Sequence, residues 1–175
     1  MFHQQFRHIP TSQKNNISYI GHKAYKLVFK GGKAGYGDEI YKPGYTYILN
    51  TVKRPLEICS YGYHACFNPL HCMNYFLDSN IDELDLLEVI IQGNVDFSTN
   101  NNIISGDSKF ATDKLDVTRI IPDEEKNILL SGISKCDLYE IHWKNGKIHR
   151  DEKDPKTGLT LPAYIQYNKN KLYLT

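Results

Sequence analysis

The stretch ELDLLEVIIQG, residues 83–93, constrains this chain more than any other. Side chains of a strand alternate between its two faces, yet here leucine, valine and isoleucine occupy both parities. Such a nearly continuous apolar run predicts a strand buried on both faces, the central strand of a sheet, ended by Gly93. Glu88 interrupts the run. A carboxylate in that setting must be paired or hydrogen-bonded, and the expected place for it is the wetter edge of the sheet.

The rest of the chain supplies further strands and a few short helices. AYKLVFK (24–30) reads as a strand stopped by Gly31 and Gly32, and a second strand is expected at about Tyr45 to Leu49. EICSYGYHAC (57–66) reads as a third extended segment. Asn68 followed by Pro69 signals a helix start, because the amide side chain caps free N–H groups and proline at the first helical position loses no needed donor. That helix is expected to reach about Leu77, with Leu70, Met73, Phe76 and Leu77 on its core face. DKLDVTRIIP (113–122) alternates, predicting Leu115, Val117 and Ile121 on one side. PDEEKNILLSG is a short helix with acidic residues in its first turn and glycine at its end. LYEIHWKNGKIHR is a hairpin around Asn145-Gly146, which supplies the two positive φ values of a type I′ turn, and AYIQYNKNKLYL predicts a second hairpin.

Several strands around isolated helices do not give the βαβ alternation of a doubly wound fold. The expectation is an α+β protein: a twisted, mostly antiparallel sheet with two or three short helices and a C-terminal β-hairpin appendage. Residues 1–17 are expected to form a flexible polar arm, 18–134 the main domain, and 135–175 a hairpin unit packed on it. At 175 residues the chain suits one compact unit of this kind.

Twenty-one lysines and arginines nearly balance twenty aspartates and glutamates, so no overall field favours nucleic acid or a membrane surface. No run is long enough to span a bilayer, and the N-terminus lacks a signal-type apolar segment. The chain therefore reads as intracellular, with its four cysteines reduced. Thirteen tyrosines favour a protein-binding surface, since tyrosine joins a large apolar face to a polar tip.

YGYHACFNPLHCMNYF (61–76) concentrates the residues with chemical potential. Cys59, His64, Cys66, His71 and Cys72 are zinc-ligand types, but no C-x-x-C occurs and they divide between strand and helix, so no metal site is expected. Cys66 precedes a helix start, where a thiol is acidified, with His64 or His71 as a candidate base, but no cysteine-hydrolase signature surrounds it. A strand-to-helix corner accounts for every residue of the segment, so no catalytic residue is assigned. KGGK (30–33) lacks the Gly-Lys-Ser/Thr of a phosphate loop.

Three resemblances bear on the chain. From about residue 22 to 121 the order KAYKLVFKGG, YKPGYTY, YGYHACFNPLHCMNYF, LLEVIIQGNV, DSKFATDKLDVTRII resembles a domain of unknown function found in phages and giant DNA viruses, with Gly62, Tyr63, His64, Ala65, Cys66, Asn68, Pro69 and Tyr75 matching its core. WKNGKIHRDEKDPKTGLTLPAYI (143–165) resembles a Trp-x-Asn-Gly-x-x-His-Arg β-repeat of mimivirus-like proteins, present once, with His149 and Arg150 on the hairpin rim. Together these imply a giant-virus accessory or structural protein, a non-enzymatic binding module with an unidentified viral or host protein partner and no cofactor, acting in host cytoplasm or virion. More distantly, the element order is similar to ADP-ribosyltransferase folds. That similarity implies a nucleotide- or NAD-binding pocket lined by Tyr63, His64 and Tyr75, with Lys30 in the place of a first-strand basic residue. Ala163 stands where the transferase glutamate would be.

Overall fold

The computed structural model describes residues 18–51, 54–97, 108–135, 139–168 and 171–174; the arm expected over 1–17 lies outside them. Seven strands form the first sheet: β1 (Lys23–Phe29), β2 (Thr46–Ile48), β3 (Tyr63–Cys66), β4 (Leu84–Ile91), β5 (Val95–Asp96), β6 (Lys109–Thr112) and β7 (Lys114–Ile120). Their spatial order is β2-β7-β4-β1-β3-β6-β5, every pairing antiparallel. Five more form a second antiparallel sheet: β8 (Gly132–Lys135), β9 (Tyr139–Lys144), β10 (Lys147–Ile148), β11 (Tyr164–Asn168) and β12 (Lys171–Leu174).

This corrects the α+β expectation. Among the described residues the α-helices are α1 (Pro69–Cys72), four residues long, and α2 (Asp123–Leu129), seven. Two three-residue 3-10 turns, Met73–Tyr75 and Ile81–Glu83, complete the helical content. The protein is mostly sheet, in two antiparallel layers. The helical signals at Asn68-Pro69 and Pro122-Asp123 each start a helix, but the first tightens into the 3-10 turn at Met73–Tyr75 and the second ends at Leu129, just before the strand that opens at Gly132. The second sheet begins at Gly132, so β8 spans the division drawn at 134/135.

β4 lies inside the first sheet, between β1 and β7, and its leucines and valine are buried on both faces. It continues through Gly93 into β5, while β6 continues through Asp113 into β7. One two-stranded ribbon thus supplies strands to both sides of the sheet order, and bending it at Gly93 and Asp113 rolls the sheet. A Cβ at Gly93 would collide with the Asp113 carboxylate and sit 2.8 Å from Lys114 Cβ, so the bend admits only glycine there. The Asp113 carboxylate fixes it by accepting from the backbone and side-chain N–H groups of Asn94, each at 2.8 Å.

Rolling creates two apolar layers. Ala24, Val28, Leu87, Val89 and Ile91 meet Phe110, Leu115 and Val117 in one cluster, joining the two ends of the sheet. On the opposite face Leu27, Leu84, Leu86 and Ile121 pack with Leu70, Met73, Leu130 and the second sheet's Tyr139, Ile141 and Trp143. Ile121 therefore lies opposite Leu115 and Val117, contrary to the strict alternation expected. The cause is a bulge: Leu87, Glu88 and Val89 pair with Ile120, Arg119 and Val117, leaving Thr118 unmatched. Its hydroxyl lies 3.0 Å from the Glu88 carbonyl and 3.1 Å from the Glu88 carboxylate.

Glu88 itself sits on this interior strand, not at the sheet edge, and is 9% exposed. Lys23 at 2.8 Å and Arg119 at 3.1 Å pair it, and these partners hold its carboxyl below the usual range against the opposing effect of burial. The Asn145-Gly146 turn has the expected positive φ values, 52° and 69°, and joins the antiparallel strands β9 and β10. β11 and β12 pair in the second expected hairpin.

Candidate functional site

The rolled sheet is not sealed between β1 and β3. The two strands register at the single pair Tyr25↔Cys66 and then part. Between them lies a glycine-rich loop, where Lys33 bridges Phe29 and Ile40, and Tyr41 N–H donates to the Gly32 carbonyl. Gly32 has φ +84°, and a Cβ there would collide with the Tyr41 carbonyl, so glycine lets the loop lie this close. A cleft of about 160 Å³ opens at the parting. Its walls include Lys26, Tyr36, Tyr41, His64, Tyr75 and Lys109.

Lys26 belongs to the β1 face that carries Ala24 and Val28. Its ammonium donates to the His64 carbonyl at 2.7 Å and lies 4.6 Å from the centre of the Tyr41 ring. Burial pushes its pKa down from 10.5 to about 8, only partly opposed by the Cys72 and Cys66 thiols. The described residues lining the cleft include no carboxylate. Opposite, the Lys109 ammonium sits 3.7 Å from the centre of the Tyr75 ring and 3.4 Å from Cys59 Sγ. Tyr36, 93% exposed, stands at the rim between Gly35 and Gly37.

His64 is a structural acceptor as well as a wall. Its Nε2 accepts the Cys59 N–H at 2.8 Å, which places the ring proton on Nδ1. Burial first, then the nearby Lys109 and Lys26 charges, lower its pKa to about 4, so the ring is neutral at pH 7. The bond fixes an unusual turn: Cys59 has φ +63°, and Glu57 bridges to Tyr61 in a tight loop. The extended segment expected over 57–66 is thus reduced to β3, Tyr63–Cys66, preceded by that loop.

Of the four residues suggested by the transferase similarity, His64 and Tyr75 line the cleft. Tyr63 lies behind it, buried edge-on to Tyr41 and Tyr47 at 6.2 and 6.0 Å between ring centres, and burial raises its pKa. Lys30 is exposed at the end of β1, where its N–H donates to the Glu83 carbonyl. The lysines that line the cleft are Lys26 and Lys109, neither of which the sequence reading singled out. The signal was present: Lys26 shares strand parity with Ala24 and Val28, so a lysine stands on an apolar face.

The remaining candidates of the segment have other roles. Cys66 and Cys72 are buried, and Cys72 Sγ donates to the Tyr25 carbonyl at 3.3 Å. His71 Nδ1 accepts the Ser108 N–H at 2.9 Å, tying α1 to the start of β6. Asn68 caps α1 by accepting the Leu70 N–H at 3.0 Å. The helix tightens into a 3-10 turn after Cys72, and this rotates Leu77 outward: Leu70 and Met73 are core, whereas Leu77 is 48% exposed. Among the described residues no three of His, Cys, Asp or Glu converge as a metal site would require. No helix among them is long and apolar enough to cross a membrane.

Residues 22–126 match a domain of unknown function, DUF7666, which covers more than half of the chain, and the chain belongs to that family. No curated protein and no solved structure matches it.

Proposed function

We propose that this member of the DUF7666 family is a non-enzymatic binding module, and that the cleft between β1 and β3 receives an anionic group of its ligand. The observation that carries this reading is Lys26. Its ammonium is half-buried, held by a neutral carbonyl and a ring face, in a cleft whose described lining offers no carboxylate. A cation held away from water without a counter-charge is costly, and an arriving anion offsets that cost. Tyr36, Tyr41 and Tyr75 add aromatic surface for an attached apolar or planar group.

The setting we infer is that of a giant-virus accessory or structural protein, intracellular in the host or carried in the virion. It is supported by the resemblances carried by Gly62 to Pro69 and by Trp143 to Ile165. The ligand's remainder belongs, on this reading, to a protein partner that uses the tyrosine-rich surface.

A second reading, an NAD-using enzyme, is favoured by one observation: His64 and Tyr75 line the same cleft. It lacks the carboxylate needed to hold a ribose and stabilise developing oxocarbenium charge. Calorimetric titration with pyrophosphate and with NAD⁺, on the native protein and Lys26→Met, tests both. Binding of both anions, weakened tenfold or more in the variant, with no nicotinamide released, is the expected result. Nicotinamide release would replace the binding reading with the enzymatic one, and no heat from either anion would remove the cleft as the binding site.

A further inference from the structure

We infer that Lys26 is a covalent capture site, whose amine forms a reversible imine with a small carbonyl compound bearing an anionic group, such as a 2-oxo acid or an aldehyde acid. The inference rests on the cleft reading above and adds a chemical class of ligand to it. An imine-forming lysine needs an amine reachable by a small molecule, not locked in an ion pair, and with a usable neutral fraction near neutral pH.

Lys26 meets each condition through its surroundings. The amine reaches into the cleft, which at about 160 Å³ admits a molecule of a few heavy atoms. The group it donates to is a carbonyl, not a carboxylate, so a neutral amine keeps the same hydrogen bond with its lone pair unspent. The Tyr41 ring face holds the ammonium without fixing a proton on it. The titratable groups around the amine are Cys66, Cys72, Lys109, Glu39, Tyr41 and His64. With burial dominating their combined effect, the pKa of about 8 leaves roughly a tenth of the amine neutral at pH 7. Exposed lysines titrating near 10.4 leave less than about a hundredth part of that fraction.

The step balances without a further reactant. The Nζ lone pair attacks the carbonyl carbon and forms a carbinolamine. Its hydroxyl leaves as water with a proton taken from solvent, the nitrogen keeps its own, and a protonated C=N bond replaces C=O. Hydrolysis reverses the sequence. The carboxylate of the captured molecule neutralises charge in a cleft that also holds the Lys109 ammonium, and the iminium keeps a positive charge near the Tyr41 ring.

The test uses glyoxylate, which joins an aldehyde to a carboxylate, with cyanoborohydride to reduce any imine, followed by mass-spectrometric mapping of the full chain. At pH 7.5 Lys26 is expected to carry at least tenfold more adduct than exposed Lys33 or Lys42, and pyrophosphate is expected to protect it. Lys26→Arg keeps the charge and is expected to lose the preferential adduct. Adduct spread evenly over the lysines would overturn the inference. If pyrophosphate still binds by calorimetry in that case, the anion-binding reading survives and only the covalent step falls.

Discussion

In the cleft between β1 and β3, two residues in contact have opposite obligations. His64 gives its carbonyl to Lys26 and its ring Nε2 to Cys59 N–H, so one residue positions both the cleft's amine and the tight loop beside it. Its ring must stay neutral to accept that N–H. The unfolded chain takes up a proton near pH 6.5, whereas the folded protein resists until about 4. Between those values the unfolded state binds more protons, so the stabilisation is complete above pH 6.5 and is lost as pH falls through 4. The expected loss is on the order of 2–3 kcal/mol. Denaturant unfolding at pH 7 and pH 4.5 should show it in the native protein and a shallower acid dependence in His64→Gln; equal slopes would assign the acid sensitivity elsewhere. His64 was legible in the sequence because its motif is distinctive. Lys26 was not singled out because a lysine in a strand is ordinarily read as the solvent side, and only the rolled sheet makes its face an inner one.

Among the elements, β4 and β7 show how far pattern reading reaches. The two-sided apolar run of β4 implies an interior strand, and that is its position. The alternation of β7 fails at one residue. Thr118 is unmatched across the ladder, so Arg119 lies opposite Glu88 and Ile121 joins the layer facing the second sheet. A period-two pattern has no means of signalling an inserted residue, because 117, 119 and 121 have the same parity with or without it. Deleting Thr118 would make the ladder regular, with Arg119 still opposite Glu88 and Ile121 still in its layer, so that only the local bend and the Thr118 hydroxyl contacts to Glu88 are lost. We expect that deletion to keep one cooperative thermal transition at a lowered midpoint, while Thr118→Ser, which keeps the hydroxyl, costs less than about 1 kcal/mol. Calorimetric melting of the two variants distinguishes them. Loss of the cooperative transition after the deletion would show that the bulge itself is required.

At the scale of the molecule, the two sheets share one core. The family match ends at residue 126, yet Leu70, Met73, Leu84 and Leu86 from that region pack with Tyr139, Ile141 and Trp143 beyond it. The Asn145-Gly146 turn joins this contact: a Cβ on Gly146 would approach Ile81 Cγ1 to 2.5 Å, and the Gly146 N–H donates to the Leu130 carbonyl at 2.9 Å. Lys126 of α2 ties the same region, donating to the Leu84 carbonyl at 2.9 Å and pairing with Asp123 at 2.7 Å. Trp143→Ala should therefore cost about 3–5 kcal/mol and lower the melting temperature of the whole chain in a single transition. Two separated transitions, with only one displaced, would instead mean that the second sheet melts by itself.

The sequence by itself determined the local events: the two-sided burial of β4, the Asn68-Pro69 helix start, the glycine-stopped end of β1 and the positive-φ turn at Asn145-Gly146. Each depends on side-chain chemistry acting over a few neighbouring residues. Tertiary structure alone decided that helix is minor, that the ribbon bends at Gly93 and Asp113 to roll the sheet, and that β1 and β3 part after one pair. Those outcomes depend on residues tens of positions apart, such as Lys26 bonded to His64 and the apolar layer that unites Phe110 with Val89. Sequence periodicity carries no record of such pairings, and the cleft exists only because of them.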